Sequence, residues 1–99
     1  MNHFGRKIRQ IREQKNILLR QVAAFIDADT ALLSKIERGE RRVSKRQVVA
    51  IAEFLGANEE ELLTLWMADK IESTIVEEPG VAYKAMKIVN KNIKDEKEY

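Results

Sequence analysis

Cysteine is absent from this 99-residue chain, which excludes disulfides and thiolate metal sites outright. A single histidine, His3, stands at the start with no second imidazole or thiol to share a metal ion. Nucleophilic and general-base catalysis therefore have few residue types to draw on, and the expectation is no enzyme, no metal and no cofactor. Long apolar runs are also missing: none approaches the ~20 residues that span a bilayer. The opening Met1-Asn2-His3-Phe4-Gly5-Arg6-Lys7 lacks the apolar run of a secretory signal. A cytoplasmic protein without membrane contact is expected. Proline occurs once and glycine four times, so breaks in regular structure are few and each one is informative.

What is present is charge, at 34% of residues, beside 44% hydrophobic residues. This balance suits a helix-rich globular domain. The charge is unevenly spread. Residues 1–46 hold 12 Lys/Arg against 5 Asp/Glu, and residues 47–99 hold 6 against 11. A polyanion is attracted to the first half and repelled from much of the second.

No stretch alternates apolar and polar residues, so the fold is read as all-α. Phe4, Ile8 and Ile11 recur at helical spacing over residues 4–15. Leu19, Val22, Ala23 and Ile26 form the next stripe, over 19–26. Asp27-Ala28-Asp29 interrupts it, and Asp29 is placed to cap a third helix over 30–37. Leu33 and Ile36 face inward there, Thr30, Ala31, Ser34 and Lys35 are left outward, and Gly39 closes the helix. After a polar connector, Ser44 and Gln47 form a capping box for a fourth helix ending at Leu55-Gly56. Asn58 and Glu61 repeat that logic for a fifth, long helix running to about Ser73 or Val76, which Pro79-Gly80 stops. A sixth helix is expected over 81–93, then a charged, frayed tail over 94–99. The domain reading is a helical bundle over 1–66, a helical extension over 67–93 and the tail.

Two short helices joined by a tight turn, the second polar on its outer face, describe a helix-turn-helix. Ala23 supplies the small residue at the crossing, and Val22, Ile26, Ala28, Leu33 and Ile36 supply the inner face. The stretch Ser34-Lys35-Ile36-Glu37-Arg38-Gly39-Glu40-Arg41 resembles the signature of the Xre/Cro phage-repressor-like family of transcription regulators, and the resemblance runs from about Phe4 to Leu63. It implies a compact five-helix, lambda-repressor-like bundle with an additional C-terminal helix. It also implies that Thr30, Ala31, Ser34 and Lys35 face DNA bases, and that Arg38, Arg41, Arg42 and Lys45 touch phosphate. Arg12 and Glu37 match a pair that joins two helices behind the recognition helix. Leu19 stands where the family often has a glutamine bracing a phosphate, which makes the neighbouring Arg20 the candidate for that contact. Asp27 replaces the turn glycine, and Ala31 offers a thymine methyl at most an apolar contact.

The fifth helix, with Leu62, Leu63, Leu65, Trp66 and Met67, is apolar on more than one face. Two readings stand. Either Leu62, Leu65, Trp66, Met86 and Val89 form a homodimer interface, or the sixth helix packs back within the chain and hides them. Two functions stand as well. One is a regulator binding a pseudo-palindromic site in double-stranded DNA as a homodimer, which resembles the controllers of restriction–modification systems. The other is an antitoxin or adaptor whose acidic C-terminal part grips a protein partner.

Overall fold

Six helices and no strand make up the described residues, 2–97, of the computed structural model, with side chains described as far as Lys94. In chain order they are α1 (His3–Gln14), α2 (Leu19–Phe25), α3 (Thr30–Glu37), α4 (Lys45–Leu55), α5 (Glu59–Glu77) and α6 (Pro79–Lys97). The chain divides into two units within α5, the first ending at Asp69 and the second beginning at Lys70.

In the first unit α2 packs on α3 and α4, and α1 packs on the same two helices. The apolar stripes of the sequence converge there. Phe4, Ile8, Val22, Ala23, Leu33, Ile36, Val48, Ile51, Ala52, Leu55 and Leu62 are buried together, joined by Val43 from the connector, while Ile11, Leu19 and Ile26 line the cluster's edge.

The helix ends are tightly specified. Asp29 accepts the Leu32 N–H at 2.7 Å, and Ser44 accepts the Gln47 N–H at 3.2 Å while Gln47 Oε1 takes the Ser44 N–H at 3.0 Å. Asn58 accepts the Glu61 N–H at 2.8 Å. All four of the first helices end in one left-handed residue, at Asn16 (φ 56), Asp27 (φ 56), Gly39 (φ 77) and Gly56 (φ 63). Each is followed by the N–H that closes a wide turn, such as Ala28 N–H to Ala23 O at 2.8 Å and Ile17 N–H to Arg12 O at 2.9 Å. Glycine takes this geometry at no steric cost, and Asn and Asp are the side chains that tolerate it best.

The second unit holds the end of α5 and all of α6. Here the expected boundaries move. Pro79-Gly80 does not merely stop α5, which runs to Glu77: Pro79 is the first residue of α6. Its missing N–H is no loss in a first turn, and its fixed φ is already helical. The first bond of α6, Ala82 N–H to Glu78 O at 2.8 Å, forms across it. The expected frayed tail over 94–99 is corrected for 94–97, which continue the helix to Lys97. Residues 98 and 99 lie outside the described residues.

Candidate nucleic-acid interface

The tight turn between α2 and α3 is fixed by Asp27 on one side and by the Asp29 cap on the other. The inner face of α3, Leu33, Ile36 and Glu37, is buried. Because that face is committed, the positions four and five residues apart on the other side turn outward: Thr30, Ala31 and Lys35 are exposed and Ser34 is half-buried. Arg38 follows on the same face.

Beneath α3 lies the ion pair. Arg12 Nε is 2.8 Å from Glu37 Oε2 and Arg12 Nη2 is 3.1 Å from Glu37 Oε1, a two-pronged contact. The side chains are 15% and 6% exposed, so the pair is sheltered from salt and solvent far more than a surface bridge. Arg12 Nη1 also donates to Ile17 O at 3.1 Å, tying α1's end to the same anchor. The charge of Glu37 is thereby neutralised under the outer face of α3.

The start of α1 is fastened to the far end of α3 by contacts that carry no clear sequence signal. Asn2 Oδ1 accepts the Gly5 N–H at 3.2 Å while Asn2 Nδ2 donates to Glu37 O at 2.7 Å. Asp69 accepts the His3 and Phe4 N–H groups at 2.8 and 3.1 Å. A Cβ built on Gly5 would stand 2.5 Å from Glu37 O and 2.6 Å from Ile36 O. The sequence points to Ala23 as the small residue of the bundle, and Gly5 is a second close crossing.

The distribution of ion pairs separates two kinds of basic residue. On α1, Lys7 meets Glu61 at 3.2 Å, Arg9 meets Glu13 at 2.6 Å, and Arg12 is held by Glu37. Lys15 Nζ donates to Leu55 O at the C-terminal end of α4, where a cation is favoured. By contrast, among the described residues no ion pair holds Arg20, Lys35, Arg41 or Lys45, all exposed. Arg46, in the first turn of α4, shares this state and was missed in the sequence. Its position beside a helix N-terminus was the available signal. Arg42 is exposed too. Arg38 differs: its guanidinium forks onto Glu40 at 2.8 and 3.1 Å and donates to Ser34 Oγ at 2.6 Å. The Arg38 hydrogen bond holds the Glu40 carboxyl below its ordinary range, which keeps this link charged.

The dimer candidates separate as well. Leu62 is 1% exposed and belongs to the first unit's core, so it is corrected from an interface residue to a core residue. Packing explains it: Leu62 lies on the α5 stripe that closes over the α1–α4 bundle, and it has no surface left to offer. Trp66 is half-buried and donates its indole N–H to Val43 O at 2.9 Å, which fixes the α3–α4 connector. Leu65 is half-buried against the same core. Met86 and Val89 belong to the second unit and are 44% and 55% exposed.

A two-helix motif supported by α1, α4 and the start of α5, with its outward face and exposed cations left to solvent, defines a helix-turn-helix DNA-binding transcription regulator. Residues 3–65 match the family described as helix-turn-helix domain, and the chain belongs to it. Such regulators are not an enzyme class. Control protein C.BamHI of Bacillus amyloliquefaciens is 39% identical over 61 residues, 61% of this chain and 75% of that protein. A crystal structure of the clp gene regulator ClgR from Corynebacterium glutamicum matches with a TM-score of 0.59 and 27% identity, over 68% of this chain and 87% of that one. A second ClgR structure, at TM-score 0.61 over 85% of this chain and 90% of that one, is 22% identical and is similar in fold. Among the described residues no helix is long and apolar enough to cross a membrane.

Proposed function

We propose that the chain is a sequence-specific transcription regulator of the Xre/Cro type that binds a pseudo-palindromic operator as a homodimer in the cytoplasm. In this reading residues 1–66 hold DNA and residues 67–93 join two copies. Thr30, Ser34 and Lys35 contact bases, with Ala31 against a thymine methyl, while Arg20, Arg38, Arg41, Arg42 and Lys45 contact phosphate. The observation that carries it is the contrast in pairing. Lys7, Arg9 and Arg12 of α1 are paired within the molecule, whereas Arg20, Lys35, Arg41 and Lys45 stand exposed with no ion pair among the described residues. A single recognition helix covers one half-site, and a two-fold pair doubles the site read. The exposed Met86 and Val89 supply apolar surface for that pairing. No observation favours the adaptor reading.

The test is fluorescence-anisotropy binding to the DNA upstream of the chain's own gene and to a scrambled duplex, at two salt concentrations. The expected preference is ~10³-fold or more, and equal weak binding to both counts against the reading. Within the same assay, Lys35→Ala is expected to weaken the specific site more than the scrambled one. Arg41→Ala is expected to weaken both alike and to lower the slope of log affinity against log salt by about one. For the homodimer, Met86→Glu with Val89→Glu is expected to turn a dimer into a monomer in sedimentation equilibrium. A wild-type monomer at every concentration speaks against the pairing.

A further inference from the structure

We propose that α6 carries a second DNA-contacting surface, a stripe of Lys84, Lys87, Lys91 and Lys94 that rests on phosphates flanking the site held by the helix-turn-helix. It rests on the DNA-binding reading above and extends it to a part of the chain outside the family match. The spacing of three, four and three residues places the four ammonium groups within an arc of about 80° at 100° per residue. All four are exposed. Between Pro79 and Lys94 the chain has no aspartate or glutamate, so the negative charge of the second half lies elsewhere. Among the described side chains no carboxylate pairs with any of the four. Lys87 Nζ stands 4.8 Å above the centre of the Tyr83 ring, which leaves its charge available.

The other side of α6 is committed. Ala82, Met86, Val89 and Ile93 line a groove of about 750 Å³ together with Ile71, Thr74 and other residues of this unit, and Ala82 is buried. Lys84, Lys91 and Lys94 lie opposite this groove and face outward, while Lys87 stands at its rim beside Tyr83. The stripe extends about 15 Å along the helix, a length over which duplex DNA carries about nine phosphate charges. Lysine is suited to such a contact, because a compact ammonium on a flexible stem meets phosphate as a point charge without demanding a fixed geometry. A partner already held by the first unit is presented to α6 at high effective concentration, so four weak contacts suffice. An anionic membrane is the less favoured partner. An interfacial helix needs its apolar face free to enter lipid, and on the homodimer reading that face is taken by the second copy.

The experiment compares wild type with the quadruple variant Lys84→Gln, Lys87→Gln, Lys91→Gln, Lys94→Gln on upstream DNA trimmed to about 20 base pairs, two helical turns, and on a version of about 60. Both proteins are expected to bind the short duplex equally. On the long one the variant is expected to lose about tenfold in affinity at low salt, with its salt slope shallower by about three per chain. Circular dichroism checks that helix content is unchanged. An unchanged slope on the long duplex overturns the proposal. Equal losses on both duplexes place the lysines inside the main footprint and overturn it too. So does loss of binding to vesicles one-third anionic in phospholipid without any change on DNA. Failure of wild type to bind either duplex sinks the DNA-binding reading itself, and the stripe with it.

Discussion

Arg12→Ala is expected to lower the stability of the chain by about 3 kcal/mol, the scale for removing one partner of a sheltered ion pair. The loss is not that of an ordinary surface bridge. Glu37 is 6% exposed, and without the guanidinium its sheltered carboxylate loses both of its charge-assisted hydrogen bonds. The Ile17 carbonyl also loses its partner. Urea unfolding followed by circular dichroism measures the effect. A double variant, Arg12→Met with Glu37→Leu, is expected to recover most of the stability, because the cost lies in an unanswered charge rather than in lost attraction. A loss under about 1 kcal/mol for Arg12→Ala alone would mean that the pair is solvated like a surface bridge. On DNA, Arg12→Ala is expected to weaken specific and scrambled duplexes alike, since Glu37 would then stand uncompensated beneath the surface that meets phosphate.

Gly5→Ala is expected to cost about as much, near 3 kcal/mol, at the upper end of the range for overpacking. The added methyl group meets the backbone carbonyls of Ile36 and Glu37 at 2.6 and 2.5 Å, and also the Asn2 side chain. Asn2 can swing away. The carbonyls cannot, because they form the end of α3, whose closing residue Gly39 is itself packed against Asn2. The expected drop in melting temperature is about 15 °C, taking ~5 °C per kcal/mol for a domain of this size. Gly80→Ala serves as the control: nothing lies within 4 Å of a Cβ there, so little change is expected. Equal melting temperatures for wild type and Gly5→Ala would show that α1 shifts away from α3 freely.

The first four helices were legible because each carries both a periodic apolar stripe and its own punctuation. Asp29, Ser44, Gly39 and Gly56 act on backbone atoms within a few residues of themselves, so their effect can be read locally. Asn16 acts in the same way, yet as a polar residue between two helices it looks like any loop position. Pro79 reads as a stop because proline breaks a helix interior, whereas the same missing N–H is harmless at the first residue of a new helix. Leu62 reads as an interface candidate because α5 is apolar on several sides, and the stripe alone does not say which side the bundle takes.

By itself the sequence determined the all-α class, the helix-turn-helix over α2 and α3, and the outward residues of α3. These follow from periodicity and caps, which are properties of neighbouring residues. Only the tertiary structure decided which cations are spent and which are free. Lys7 with Glu61, Arg12 with Glu37 and Lys15 with the end of α4 are pairings across 25 to 54 residues of chain. It also decided that Gly5 is a close crossing beside Ala23, and that Trp66 is tied to Val43. The reason is the same in each case: a charge or a small residue acquires its role from the group that packing sets opposite it, and that group is distant in the chain.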